Sequence, residues 1–452
     1  MNKTEPRHPI APNAGAIAFA STALVFLLLG CLLLAVSPGF LLGQKLTPFA
    51  QAWIQVMLLG FGLPAVFGAI YWSLPGVFGL PLFSEHSVFL HYAFHVAGFA
   101  VAMLAALVPD MPQTTMGATF LACGGLVFVF NVSMSLLRLE RTDAASAFVS
   151  TIMVWLVAAL FLGLPFVATA PLPMFAGTNW SAGWLVFLIS GVLFNAVLGL
   201  ALRIAPLAVG GSGAQPAAAW YALAIGNLGV AWMFAAATFG PPPFLLLCGV
   251  VFLVGSLIYL GGFWGLLQSG TNATMGWDTK VLVAAVWMVP ASAAALLYNV
   301  WERLASQAPA AAAAAPAAAA AAVPALPAEA VPAELAVMPL DWTVGLVALL
   351  AAAVPGLVAL IFQVQKLGDG AAGEAGQSIR ERVADQLVLA SFFNYAVGVM
   401  LAVVGAWGSE SQMLSLGAVF LVVGSAGFLG IFLHHLFQSA DAGAPRLAGA
   451  TS

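Results

Sequence analysis

Ile54-Gln55-Val56-Met57-Leu58-Leu59-Gly60-Phe61-Gly62-Leu63-Pro64-Ala65-Val66-Phe67-Gly68-Ala69-Ile70-Tyr71-Trp72 contains no charged residue. About 20 helical residues cross the roughly 30 Å of hydrocarbon in a bilayer, and this run with its flanks is long enough. Lipid offers no partner to a free N–H or C=O, so the stretch is expected to be a helix. The whole chain has the same character: 63% of its 452 residues are hydrophobic and 6% are charged. That leaves too little polar surface for a soluble protein, and an integral membrane protein follows.

Twelve such stretches are legible, at 15–36, 50–73, 87–108, 114–136, 146–169, 181–205, 217–238, 243–267, 280–300, 341–364, 386–408 and 412–437. The expected fold class is all-α, a polytopic bundle of twelve transmembrane helices. The first stretch follows Lys3 and Arg7, but it is too long for a signal peptide's apolar region and lacks an Ala-x-Ala site, so it is expected to be retained. On this topology Lys3, Arg7, Arg138, Arg141, Arg203, Lys280, Lys366, Arg380, Arg382 and Arg446 fall on one side, and only Lys45 and Arg303 on the other. The positive-inside rule then puts both termini in the cytoplasm, as in a bacterial-type inner membrane.

The organisation expected is a tail at 1–14, nine helices within 15–303, a linker at 304–340, three helices within 341–437 and a tail at 438–452. The linker consists of alanine runs cut by Pro309, Pro316, Pro324, Pro327, Pro332 and Pro339, the composition of a tether without its own fold. The net charge of −4 is carried with the basic residues singly at helix ends, and no nucleic-acid partner is expected. Cys31, Cys123 and Cys248 lie inside spans without metal-type spacing, where cysteine acts as a small apolar residue.

Polar groups inside the spans are few. Asn131, Asn195, Asn227, Asn299 and Asn394, with Gln55, Gln363 and Tyr395, are expected to make interhelical hydrogen bonds; a polar track for a substrate or protons is the alternative. No Asp, Glu or Lys falls in the middle of a span, which counts against ion-coupled transport. Trp180, Trp220, Trp277, Trp301 and Trp342 cluster at span ends, as interfacial anchors do. His91 and His95 stand one helical turn apart in span three, and His434 and His435 close span twelve; all four are expected near the cytoplasmic face. His86 is expected in the loop before span three and His8 in the tail. If spans three and twelve touch, an imidazole from each could hold a heme or a metal; otherwise these side chains bond across helices or sit among headgroups.

Spans two, six and ten each carry a glycine-rich middle, Gly60 to Gly68, Gly191 to Gly199 and Gly345 to Gly356, and each comes four spans after the last. Either the chain repeats, or glycine simply serves close packing in membrane helices. Span ten opens on Asp341-Trp342-Thr343-Val344-Gly345-Leu346-Val347-Ala348. Its first five residues resemble the D-W-T-x-G that precedes H-x-H in the catalytic subunit of the cbb-type heme-copper oxidases. Span two is similar to that family's heme-ligand helix, with Gly60-Phe61-Gly62, Ala65, Gly68 and Tyr71-Trp72.

The resemblance implies the subunit I bundle with pseudo-threefold repeats, and it also marks what is missing. The family's heme-binding histidines fall at Leu346, Ala348 and Trp53, and aligning Gly199 and Pro206 puts a copper histidine at Val186. The adjacent copper histidines of span seven are absent too, because Trp220 to Gly240 contains no histidine. Trp53, Val186 and Leu346 each lie within about ten residues of an outer span end, so at 1.5 Å per residue they share the level of the family's hemes. Leu, Ala, Trp and Val offer no imidazole to iron or copper, and oxygen reduction there is not expected.

Three functions remain. The first is a non-catalytic structural or assembly partner of other membrane subunits, with no cofactor expected. The second is a redox protein that keeps one heme through His91 or His95. The third is a transporter using the intramembrane amides.

Overall fold

The computed structural model describes residues 13–38, 48–107, 114–167, 180–210, 216–240, 242–270, 279–294, 297–298, 301, 353–362, 379–407 and 410–443. Among these residues the regular structure is helical throughout, without a strand. The helices are α1 (Ala14–Val36), α2 (Pro48–Gln55, Val56–Gly62 and Leu63–Gly76), α3 (Glu85–Leu107), α4 (Thr114–Leu136), α5 (Ala144–Val167) and α6 (Trp180–Val186, Phe187–Phe194 and Asn195–Ala208). They continue as α7 (Ala217–Phe239), α8 (Pro242–Gln268), α9 (Thr279–Ala294), α10 (Ala353–Phe362), α11 (Ile379–Trp407) and α12 (Ser411–Gly443). Ten of them are long and apolar enough to cross a membrane; α9 and α10 are shorter apolar pieces within the ninth and tenth expected spans. The chain is a multi-pass helical membrane protein.

Local signals set several helix ends. The Asn13 side chain accepts from the Gly15 N–H at 2.8 Å and caps α1. At α5, Asp143 Oδ1 accepts from the Ser146 N–H at 2.8 Å while Ser146 Oγ accepts from the Asp143 N–H at 3.0 Å, a reciprocal cap. The Asp143 carboxylate also meets Arg203 of α6 at 2.9 Å, and the Arg203 guanidinium lies 5.6 Å from the Phe78 ring centroid. The loop between α2 and α3 is held by α4: Asn131 accepts from Ser84 N and donates to Ser84 O, and Ser135 Oγ accepts from Phe83 N.

Two helices form the centre. All of the most apolar window of α2 is buried and 94% of that of α6, against 33–44% for the eight other long helices. The α10 piece is buried along nearly its whole length. The others follow one another in rows, with α11 on α12, α12 on α1 and α1 on α2, and then α3 on α4, α4 on α5 and α5 on α6. In a third row α7 packs on α8, Trp264 of α8 meets Trp287 of α9, and Gly356 of α10 lies against Ala285 of α9.

Contacts within these rows recur. A Cβ at Gly98 of α3 would stand 2.7 Å from Leu121 N of α4; at Gly398 of α11 it would stand 2.6 Å from Leu421 N of α12; at Gly229 of α7, 2.7 Å from Phe252 N of α8. Gly117 faces Ala102 as Gly417 faces Ala402. The same registers bring Phe128, Tyr259 and Phe428, all fully buried, to corresponding places. Close backbone approach at small residues is what holds membrane helices together in the absence of a hydrophobic drive between them.

The two central helices share a spacing of residues as well. Trp53, Gly60, Gly68 and Pro75 of α2 have the same intervals as Trp184, Gly191, Gly199 and Pro206 of α6. Each helix turns into a π-helix three residues after its tryptophan, over Val56–Gly62 and over Phe187–Phe194. Gly68 faces Ala16 O and Phe19 Cβ of α1, and Gly199 faces Ala145 O and Phe148 Cβ of α5. In both α2 and α6 matched residues of the preceding helix lie against the glycine.

Candidate functional site

Two buried tryptophans tie the central helices to the helices that precede them. Trp53 is buried, and its indole N–H donates to Gly30 O of α1 at 2.9 Å. Trp184, also buried, donates to Ala159 O of α5 at 3.0 Å. The repeat therefore pairs Trp53 with Trp184, and Val186 with Gln55. Val186 is buried at the last position before the π segment. Asp341 to Gly345, Leu346 and Ala348 lie outside the described residues, as do the 304–340 linker, Trp277, Trp342, Asn299, Gln363 and His8.

His95 is the eleventh of the 23 residues of α3, at the middle of that helix. The helix begins at Glu85, which puts His86 in the first turn of α3 instead of in the preceding loop. His95 Nε2 donates to Leu59 O in the α2 π segment at 2.9 Å. A π register alters the pairing of backbone carbonyls, and in lipid an unanswered carbonyl is costly. In α6 the corresponding service is done by Asn195, whose Nδ2 donates to Gly191 O at 2.8 Å.

His91 is fully buried and shares a hydrogen bond of 3.1 Å between its Nδ1 and Tyr71 Oη. Its Nε2 is sealed and has no partner among the described residues. The rings of Phe67, Phe19 and Phe128 surround it, with centroids at 4.5, 4.6 and 5.3 Å. Heme ligation through Nε2 needs room for a porphyrin plane beside that nitrogen, and the nitrogen is sealed; His95 has its own Nε2 engaged by Leu59 O. The pair as packed does not fit a heme. His434 is exposed near the end of α12, which packs mainly on α11 and α1, whereas α3 packs mainly on α4. Of His435 only the backbone is described. No group of three or more His, Cys, Asp or Glu gathers for a metal among the described residues.

Asn195, Asn227 and Asn394 are hydrogen-bonded. Trp155 Nε1 and Asn195 Nδ2 both donate to Asn227 Oδ1, at 2.5 and 3.0 Å, and Asn227 Nδ2 donates to Leu223 O. Asn394 donates to Ala390 O of its own helix. Tyr395 is buried against Phe428. Gln55 Oε1 is sealed without a partner among the described residues. Cys31 and Cys248 are buried free thiols and Cys123 is a half-buried one. The sequence reading missed Trp184, and the shared intervals from tryptophan to proline are the signal that would have found it.

No protein-family model matches the chain, and no curated protein matches it.

Proposed function

We propose that this protein is a divergent relative of heme-copper oxidase subunit I, retaining a twelve-helix, pseudo-threefold frame without the metal centres. Its role is that of a non-catalytic structural or assembly component in a respiratory-type membrane complex. The observation that carries this reading is the use of Trp53 at a family ligand position: an indole that bonds to the neighbouring helix replaces an imidazole that would bind iron. Support comes from the four-helix period of contacts, from the matched π segments in α2 and α6, and from D-W-T-x-G at the start of the tenth span. The reading puts both termini in the cytoplasm of a bacterial-type cell.

The redox alternative at His91 and His95 is disfavoured by the aromatic packing around His91. The transporter alternative is disfavoured because Asn227 and Asn394 spend their donors on neighbouring carbonyls. The test is the visible spectrum of the purified protein, oxidised and dithionite-reduced, with heme quantified per chain and co-purifying membrane proteins identified. No heme absorbance and a stoichiometric partner are expected. About one heme per chain would overturn the reading in favour of redox function, and a heme-free chain without a partner would overturn the structural role.

A further inference from the structure

A small cavity lies among α5, α6, α7 and α8, with about 10 Å³ open to the centre of a water molecule. The rings of Phe148, Phe194, Phe252 and Tyr259 wall it, and Ser190 and Asn195 of α6 line it between them. Ser190 is 5% exposed and makes no hydrogen bond among the described residues, yet its hydroxyl is not sealed by packing. Asn195, equally buried, gives its amide hydrogens to Gly191 O and Asn227 Oδ1. Its own Oδ1 accepts nothing among the described residues and is likewise unsealed. The two residues are five apart, which in an α-helix puts them on different faces. The π register over Phe187–Phe194 bonds residues five apart and brings them round to one cavity.

The corresponding place beside α2 is filled by side chains. The registers of Gly98 on Leu121 and Gly229 on Phe252 set His91 and His95 of α3 against Ala222 and Gly226 of α7. The shared intervals of α2 and α6 likewise set Leu59 and Pro64 against Ser190 and Asn195. Polarity has therefore changed sides: α3 brings two imidazoles to an apolar stretch of α2, while α7 brings nothing larger than a methyl to a hydroxyl and an amide of α6. Ala222 and Gly226 both line the cavity, and a Cβ at Gly226 would meet nothing within 4 Å. A buried polar atom without a partner is costly, and about 10–15 Å³ of such room with two to four polar partners holds one water. Ser190 Oγ and Asn195 Oδ1 are two partners. Ser256 Oγ, which lines the cavity and spends its proton on Leu253 O, keeps lone pairs as a third.

We propose that the cavity between α6, α7 and α8 binds a single water molecule, which donates to Asn195 Oδ1 and bonds to Ser190 Oγ, in the place that the imidazoles of His91 and His95 take beside α2. This is independent of the role proposed above. The test is radiolytic labelling of the full chain in nanodiscs equilibrated with heavy-oxygen water, read by mass spectrometry of its peptides. A water held in the cavity passes its hydroxyl radical to the nearest ring. Heavy oxygen is therefore expected on Phe148, Phe194, Phe252 or Tyr259, and not on Phe19 or Phe128, the fully buried counterparts of Phe148 and Tyr259. Gly226→Val, which puts a side chain into the cavity, is expected to remove the label. If that variant fails to fold, Gly226→Ala takes its place with the same expectation, since the new methyl has free space around it. Label no stronger on the cavity rings than on Phe19 and Phe128, or label that persists in a folded filled variant, overturns the proposal.

Discussion

Trp53 and Trp184 make one hydrogen bond twice: each indole reaches back from a central helix to a backbone carbonyl of the helix before it, Gly30 O at 2.9 Å and Ala159 O at 3.0 Å. Both bonds are buried, and both stand three residues ahead of a π segment. They fix the rotation of α2 and α6 where the backbone register is about to change.

Replacing Trp53 or Trp184 by Phe keeps most of the apolar volume and removes the N–H, so the interhelical bond is lost while each carbonyl keeps its place in its own helix. Interhelical hydrogen bonds in membranes are worth about 0.6 kcal/mol and at most about 1.7. Each single variant is expected to lose stability within that range, measured as a thermal midpoint in detergent, and the double variant is expected to lose the sum because the two sites share no partner. A loss at Trp53 with none at Trp184 would break the equivalence of the two.

Gly98 and Gly398 test the outer rows. A Cβ at either would stand under 3 Å from a backbone nitrogen of the next helix, and backbone cannot step aside as a flexible side chain can. Gly98→Ala and Gly398→Ala are each expected to cost about 1–3 kcal/mol, the usual range for overpacking. Gly261→Ala on α8 has nothing within 4 Å of the new methyl and is expected to be neutral or slightly stabilising. Equal thermal midpoints for all three would mean that the helices do not approach as described.

The apolar runs made the all-helical membrane class legible, because lipid forces such runs to be helical whatever their neighbours. The glycines of α2 and α6 were legible too, and Gly68 and Gly199 lie against matched residues of α1 and α5. The π segments were not legible: Val56–Gly62 and Phe187–Phe194 carry no propensity signal, and what marks them is the side chains that answer their carbonyls, His95 and Asn195, the first of them from another helix. The placement of His86 in a loop was wrong because α3 starts at Glu85, a polar residue that a hydropathy window discards.

Asp143 caps α5 and pairs with Arg203 of α6, and two substitutions separate these roles. Asp143→Asn keeps a side-chain oxygen for the Ser146 N–H and removes the charge. Both side chains of the pair are about one-third exposed, at 33% and 31%, so the charge is worth roughly 0–1 kcal/mol after solvent screening and fades with added salt. Asp143→Ala removes the cap as well, for about 0.5–2 kcal/mol more. The expected pattern is a small, salt-sensitive loss for Asn and a larger, mostly salt-insensitive loss for Ala, read from thermal melts at low and high ionic strength. A loss for Ala that vanishes in salt would mean that the cap contributes nothing.

Asn227 holds three helices at one amide, since Trp155 of α5 and Asn195 of α6 both donate to its oxygen. Asn227→Leu leaves the half-buried Trp155 N–H without its acceptor and Asn195 with only its bond to Gly191 O, and an unsatisfied buried group costs about 1–3 kcal/mol. Adding Trp155→Phe and Asn195→Leu removes the orphaned donors, so the triple variant is expected to recover part of the loss, a non-additivity diagnostic of a shared partner. The same variants separate structure from transport. If Asn227 lined a path, its loss would abolish uptake of a substrate in vesicles and the triple variant would stay inactive however well it refolded. Recovered stability with vesicle permeability unchanged from the native chain is the outcome expected of an amide that ties helices together.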